Sequence, residues 1–317
     1  MMTTRQKRKF KKFKKKSNIN VLLVTSRDWT SLGEQYARCL RSIGVDAKMM
    51  IKRKHVFNYP DQGMLFKNLE DITSYIEKAD VIHFMHSQKP IPNSSLKGKK
   101  VVVSHTGTSY RKGHAKLNKI FNPIVDLTIV SGDLFGKGAK NEHYSPGCVV
   151  DTEKLKPVYE RQSDKLIVGH FPSSTKQTNG DKIAKILKNV KGNFKFDYNP
   201  TRVSWEEQIK RMSGCDIYIE CLMGIGGFGI TALESASLGK ILFTPYRFED
   251  KYKEVLGDFI PIIFQPGGKD LVEKIEKFIS LPNDELLRLK KESRDWVEKN
   301  YSYKAVGNRL LGLYNSI

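Results

Sequence analysis

The sequence predicts an α/β protein of two domains, each a parallel sheet covered by helices on both faces. Three observations carry that reading. Short β-rich runs alternate with amphipathic stretches, the pattern of strand–helix–strand units. The alternation stops at a polar segment, Pro157 to Lys165, and then begins again. A chain of 317 residues with 39% apolar content also suits two cores of ordinary size better than one oversized core.

Strands are expected at Ile19–Thr25, Val45–Ile51, Val81–Met85, Lys100–Ser104 and Leu127–Val130. After the first of them, Leu32, Tyr36, Ala37, Leu40 and Ile43 recur at helical spacing, and Gly44 follows as a cap. The second series reads Leu166–Gly169, Phe194–Tyr198, Asp216–Ile219, Ile241–Thr244 and Phe259–Phe264. Two helices, Pro282–Asn300 and Tyr303–Tyr314, close the chain, with Leu286, Leu289, Trp296, Val306, Leu310 and Leu313 as their buried face. The expected domains are therefore a basic tail over 1–17, an N-terminal domain over 18–158, a C-terminal domain over 165–300, and a last helix, 301–317, returning to the N-terminal domain.

The formal net charge is +21, and nine basic residues lie between Arg5 and Lys16 with no acid among them. Such a block repels itself and buries no core, so a solvated tail is one reading. Attachment to an anionic membrane surface, with Phe10 and Phe13 as interfacial anchors, or to nucleic acid is the other. No apolar run reaches the roughly 18 residues of a membrane span. Cys39, Cys148, Cys215 and Cys221 are scattered without a Cys-x-x-Cys pair, which fits a reducing cytoplasm better than a disulfide framework or a zinc ribbon.

The stretch richest in chemistry is Gly224 to Gly239. Gly226, Gly227 and Gly229 precede a segment, Ile230 to Leu238, that reads as a helix. Glycines there let backbone approach a ligand, and free amides at a helix N-terminus favour an anion such as a diphosphate. Packing alone also explains glycines before a helix. Glu234 stands within the helix: as an acid it favours the helix dipole, or its two oxygens accept the hydroxyls of a nucleotide ribose.

The run Gly227-Phe228-Gly229-Ile230-Thr231-Ala232-Leu233-Glu234-Ser235-Ala236 resembles the nucleotide-sugar signature of the family 4 retaining glycosyltransferases. The resemblance implies the GT-B fold, two Rossmann-like domains with the donor in the cleft between them, and a nucleotide-diphosphate sugar as donor substrate. It makes Glu234 the ribose-binding acid and gathers Gly226, Gly227, Phe228, Gly229 and Ile230 around the donor. The family's first glutamate falls on Gly226, and Glu220 upstream echoes it. Asp28-Trp29 and Gly33 follow the first strand as in family members, where backbone at this glycine meets the diphosphate. Pro146-Gly147 and Asp151-Thr152-Glu153 look like the interdomain passage. Lys176 stands where a phosphate-binding lysine is expected, and His170 near the place of its arginine partner.

Ser104-His105-Thr106-Gly107 ends a strand, where α/β sheets place ligands. The resemblance makes His105 a contact to the transferred sugar and, with Glu234, a catalytic residue, while Arg111 would bind acceptor or phosphate. His83 and His86 read as strand and loop fillers. The chain holds no Asp-x-Asp triplet, so no metal or other cofactor is expected, and retention is what the resemblance implies. The expected activity is hexosyltransferase-like transfer to a hydroxyl of a glycan or lipid-linked glycan, in a cytoplasmic enzyme peripheral on the membrane. Transfer to a nucleic acid base and a non-catalytic binding module are the alternatives. Deleting residues 1–16 should leave the melting temperature unchanged and weaken binding to acidic vesicles; equal binding by both forms in a flotation assay would make the tail a solubilising extension.

Overall fold

The computed structural model describes residues 19–55, 62–161, 163–172, 178–201, 203–222, 228–245, 248–257, 262–263 and 268–317. The basic tail falls outside that set. The chain divides into two compact units, one of Met1–Ile129, Gly136–Glu142 and Val306–Ile317, the other of Val130–Phe135 and His143–Ala305. No helix among the described residues is long and apolar enough to cross a membrane.

The first sheet is built from β1 (Asn20–Arg27), β2 (Asp46–Arg53), β3 (Met64–Leu65), β4 (Val81–Phe84), β5 (Lys100–Ser104), β6 (Leu127–Val130) and β7 (Glu142–Tyr144). Their order is β3-β2-β1-β4-β5-β6-β7, and the pairs from β3 through β6 are parallel. In register, Leu22 stands opposite Lys48 and Ile82, and Val24 opposite Met50 and Phe84. Leu22, Val24, Met50, Ile82, Phe84, Val101 and Val103 form one core with Ile72 and Ile76 of α2 (Glu70–Lys78) and Phe121 of α3 (Gly107–Phe121). The other face receives α1 (Leu32–Ser42), which packs on β1 and β2.

Burial on both faces explains why β1 and β4 to β6 read as nearly continuous Val/Ile/Leu runs. It also decides where polar groups go. His83 lies inside the sheet, wholly buried, with Nδ1 at 2.7 Å from the Tyr314 hydroxyl and Nε2 at 2.8 Å from Ser104 Oγ. Desolvation holds its pKa down at about 3, so the ring is a neutral bolt. Tyr314 belongs to α10 (Tyr303–Asn315), whose segment from Val306 onward counts with the first unit.

The second sheet joins β8 (Leu166–His170), β9 (Phe194–Tyr198), β10 (Ile217–Ile219), β11 (Ile241–Phe243) and β12 (Ile262–Ile263) in the order β12-β11-β10-β8-β9, all parallel. Alternate residues serve two cores. Ile167, Tyr218 and Leu242 meet α6 (Ile230–Ser237) and α9 (Asn283–Tyr301). Val168, Ile217, Ile219, Ile241 and Phe243 meet α4 (Gly180–Leu187) and α8 (Gly268–Ile279). α5 (Trp205–Ser213) and α7 (Glu249–Leu256) complete the unit.

The segment 151–159 is held inside this second unit by buried cations. Arg294 donates to the carbonyls of Leu155 at 2.7 Å, Ser237 at 2.8 Å and Thr152 at 2.8 Å. Lys240 donates to Val158 O at 2.6 Å and Ser213 O at 2.9 Å, and Lys290 pairs with Asp216 at 2.6 Å. Charges this deep persist because oxygens on several elements replace water. Burial and the neighbouring Lys290 bring the Lys240 ammonium down to about 8.

Gly307 of α10 crosses α1 with no room for a side chain: a Cβ there would stand 2.3 Å from the carbonyl oxygen of Cys39. Backbone cannot move aside as a side chain does. Gly307→Ala should therefore cost about 1–3 kcal/mol, read as a lower urea midpoint at unchanged slope.

Candidate functional site

In an open parallel sheet, ligands bind beyond the carboxyl ends of the strands, where the strand order reverses. The second unit reverses between β8 and β10. His170 ends β8, Glu220 follows β10, and Thr244 follows β11. Into this edge points the N-terminus of α6, capped at Gly229 with extended backbone, φ −73° and ψ 166°. Gly226, Gly227 and Lys176 of the expected site lie outside the described residues.

Glu220 occupies the helix start from within. The Gly229 amide hydrogen-bonds its carboxyl, and the Thr244 hydroxyl donates to Oε2 at 2.5 Å. A Cβ on residue 229 would lie 2.0 Å from Glu220 Oε1, so any larger residue here would displace that carboxyl. One and a half turns along α6, Glu234 is 5% exposed and accepts the Trp205 indole N–H at 2.7 Å on Oε1. Among the described residues Oε2 of Glu234 has no hydrogen-bond partner. Burial lifts both acids to about 7; for Glu220 the Thr244 and Gly229 bonds offset part of the rise, for Glu234 the Trp205 bond does. The same burial, with both carboxylates near, pushes the Cys148 thiol up to about 12, so it stays protonated.

The other expected donor contacts are differently placed. Phe228 is 3% exposed, with ring centroids 4.6 Å from Tyr252 and 5.6 Å from Trp296, so its side chain is core and only its backbone faces the helix start. Ile230 is the half-buried first residue of α6. His170 is wholly buried: Nδ1–H donates to Ile219 O at 2.7 Å across the switch point, and Tyr198 stacks at 5.7 Å. Burial lowers its pKa, so it supplies no cation for a diphosphate. Trp205, which holds Glu234, carried no signal in the sequence beyond its Ser204 N-cap. It is in turn covered by the Lys154 ammonium 4.5 Å from its ring.

The first unit repeats the arrangement. Its order reverses between β1 and β4, and the residues after those strands meet. Asp28, 2% exposed, accepts the amides of Gly33 at 2.8 Å and Glu34 at 2.9 Å. His86 Nε2 stands 2.7 Å from Asp28 Oδ1, and His86 Nδ1 2.7 Å from Thr106 Oγ1. Nε2–H donates to the Asp28 carboxylate, and the Thr106 hydroxyl can serve Nδ1 as donor or acceptor. His86 and Ser87 hold left-handed backbone, φ 58° and 59°, a strained geometry that clusters at functional sites. Gln88 Oε1 ties the end of β1, accepting the amides of Ser26 and Arg27 at 3.0 Å each. His86 is thus no loop filler. The signal that could have found it is position, since it and Asp28 follow the two strands that flank the reversal.

Two expectations change character here. The Gly33 amide, expected on a diphosphate, is taken by Asp28, and a Cβ at Gly33 would meet Met49 Cε at 2.6 Å. His105 is 1% exposed, stacked 4.0 Å from Tyr110, with Nδ1 at 2.9 Å from Ser87 Oγ. Desolvation puts its pKa at about 3, and its Nε2 is buried without a partner among the described residues. The ring is a packed, neutral group under Tyr110 and not an open contact. Arg111 sits half-buried on α3.

No protein-family model matches the chain, and no curated protein does. Solved structures match over nearly its whole length. A glycosyltransferase from Rickettsia africae is 14% identical, with TM-score 0.61 over 95% of this chain and 98% of that one. Anabaena HepE, solved with UDP and glucose, is 10% identical, with TM-score 0.63 over 95% and 100%. A sucrose-phosphate synthase from Thermosynechococcus elongatus is 11% identical, with TM-score 0.59 over 94% and 99%. The fold is GT-B.

Glu220 and Glu234 bind protons more tightly folded than unfolded, so folding takes up protons between about 4.5 and 7 and stability falls as pH rises through that window. Each carboxylate is expected to cost on the order of 1–3 kcal/mol at the alkaline end. Glu220→Gln with Glu234→Gln should flatten the profile of urea midpoint against pH between 5 and 8. An unchanged slope would place the titrating groups elsewhere.

Proposed function

We propose that this chain is a glycosyltransferase that moves a sugar from a nucleotide-diphosphate sugar to an acceptor hydroxyl. One observation carries the reading. At the second unit's switch point, Glu234 has an oxygen with no hydrogen-bond partner among the described residues, within a helix whose N-terminal Gly229 stands close against the Glu220 carboxyl. That combination suits a nucleoside diphosphate, with Glu234 accepting ribose hydroxyls and α6 facing the diphosphate. HepE, which shares the fold, has been solved with UDP and with UDP-glucose, which supports the same ligand class.

In this reading the acceptor oxygen attacks the anomeric carbon while the bond to the diphosphate oxygen breaks, and the departing nucleotide carries away the electron pair. The acceptor proton passes to the leaving phosphate oxygen, so the protein supplies positioning and charge stabilisation in place of a strong base. Lys176 is the cation proposed for the diphosphate. Retention and a metal-free, cofactor-free reaction belong to the same proposal, as does a glycan or lipid-linked acceptor. The net charge of +21 favours a polyanionic setting and supports, as a second reading, transfer to a nucleic acid base.

Replacing Glu234 by Gln keeps shape and removes charge. A hydrogen bond to a charged acceptor contributes roughly 1.5 to 3 kcal/mol, so affinity for the bound nucleotide should fall about tenfold or more. Calorimetry with UDP and GDP on both proteins measures this. Undiminished affinity would leave Glu234 as a dipole partner only and remove the residue-level support for the reading.

A further inference from the structure

From Gly107 at the carboxyl end of β5, α3 runs along the surface of the first unit, kinked at Gly113, whose φ of −117° and ψ of 17° are not helical. Gly107 to Val125 contains Arg111, Lys112, Lys116 and Lys119 and no acidic residue. Tyr110 and Phe121 turn inward, while Lys112, Ala115, Lys116, Lys119 and Ile120 are exposed. The strap 137–140 is fastened beside this helix. Asn118 Nδ2 donates to Lys137 O at 2.9 Å, Asn122 Nδ2 to Gly138 O at 3.2 Å, and the Lys140 amide to Asn122 Oδ1 at 2.9 Å. Lys137 and Lys140 are thereby added to the same patch. None of these five lysines forms an ion pair with a described residue.

We infer that this lysine face of α3, with the strap Lys137–Lys140, is the surface through which the first unit docks on an anionic lipid bilayer. Charge complementarity selects a polyanion, and two features select lipid over nucleic acid. The face is built of lysines, point charges on long stems that hold their heads at a headgroup layer while the stems lie along apolar surface; forked guanidinium groups suit bidentate phosphate recognition better. At its centre, next to Lys116 and Lys119, Ile120 is 41% exposed, which helps nothing on a phosphate backbone but inserts at the headgroup boundary. The docking does not require sugar transfer. If the proposed reaction also holds, the helix would bring the strand-end residues Asp28, His86 and Thr106 of its own unit to the level of a lipid-linked acceptor.

The test is co-sedimentation of the full chain with vesicles of phosphatidylcholine alone and with phosphatidylserine added. Each lysine near an anionic leaflet raises partitioning roughly fivefold at moderate ionic strength. Binding is expected only to the anionic vesicles. The triple change Lys112→Glu, Lys116→Glu and Lys119→Glu should lower it at least about tenfold at unchanged melting temperature, even with the basic tail present. Ile120→Ser should lower it a few-fold at any salt. Should the triple variant melt early, the single changes Lys116→Gln and Lys119→Gln carry the test, each expected to lose roughly fivefold. Undiminished binding by the lysine variants overturns the inference. So does a parent chain that ignores both vesicles, or one that prefers duplex DNA at the same salt and loses that preference in the triple variant. Because no nucleotide sugar is added, these outcomes are separate from any failure of the transfer reading.

Discussion

A parallel sheet covered by helices on both faces leaves polar chemistry only one place to gather, the strand ends. Everything between is desolvated, as His83 shows: it sits among buried strands only because Ser104 and Tyr314 take both of its nitrogens. At the carboxyl ends, loops change direction and amides come free. The chain meets this twice, with Asp28 and His86 after β1 and β4, and with His170 at the end of β8 and Glu220 after β10. In both units an internal acid satisfies the amides of the helix beyond: Asp28 at Gly33 and Glu34, Glu220 at Gly229. A side chain packs close on each glycine, the Glu220 carboxyl at Gly229 and the Met49 thioether at Gly33.

Burial of charge separates scaffold from site. Arg294 and Lys240 are as deeply buried as the acids, yet they donate to carbonyls from several segments and bind the segment 151–159 to the second unit. Those charge-assisted hydrogen bonds, each about twice as strong as a neutral one, offset part of their desolvation, though burial still lowers the Lys240 pKa to about 8. Among the described residues Glu234 has one indole partner, one oxygen without a partner and no ion pair. Its desolvation is therefore left largely uncompensated, which lifts its pKa toward neutrality. A group held in that state gains most when a ligand supplies the missing donors, which is how a perturbed carboxyl marks a binding site.

Charge on the outside follows a different rule. Exposed lysines are screened within about 10 Å at ordinary ionic strength, so their effect depends on many of them sharing one face. The lysines of α3 and its strap share such a face because Asn118 and Asn122 fasten backbone from residues 137–140 alongside the helix. Sequence distance hides the grouping; the amide bonds create it.

The sequence alone determined the α/β class, because two-sided burial forces continuous apolar strands and amphipathic helices at spacings that are visible without coordinates. It also pointed to the glycine-rich start of α6 and to Glu234, since glycines before a helix and an acid within it form a local run that is legible without coordinates. Only the tertiary structure decided the partners. That Glu220 sits against Gly229, that Asp28 reaches His86 across 58 residues, that Phe228 turns into an aromatic core and that His105 is sealed beneath Tyr110 all depend on which strands lie side by side. Strand order is set by long-range packing of whole sheets, and no local pattern encodes it. The chemistry of a residue was therefore legible from its type and its place on an element, while its exposure and its neighbours, which decide whether that chemistry is used, came from the fold.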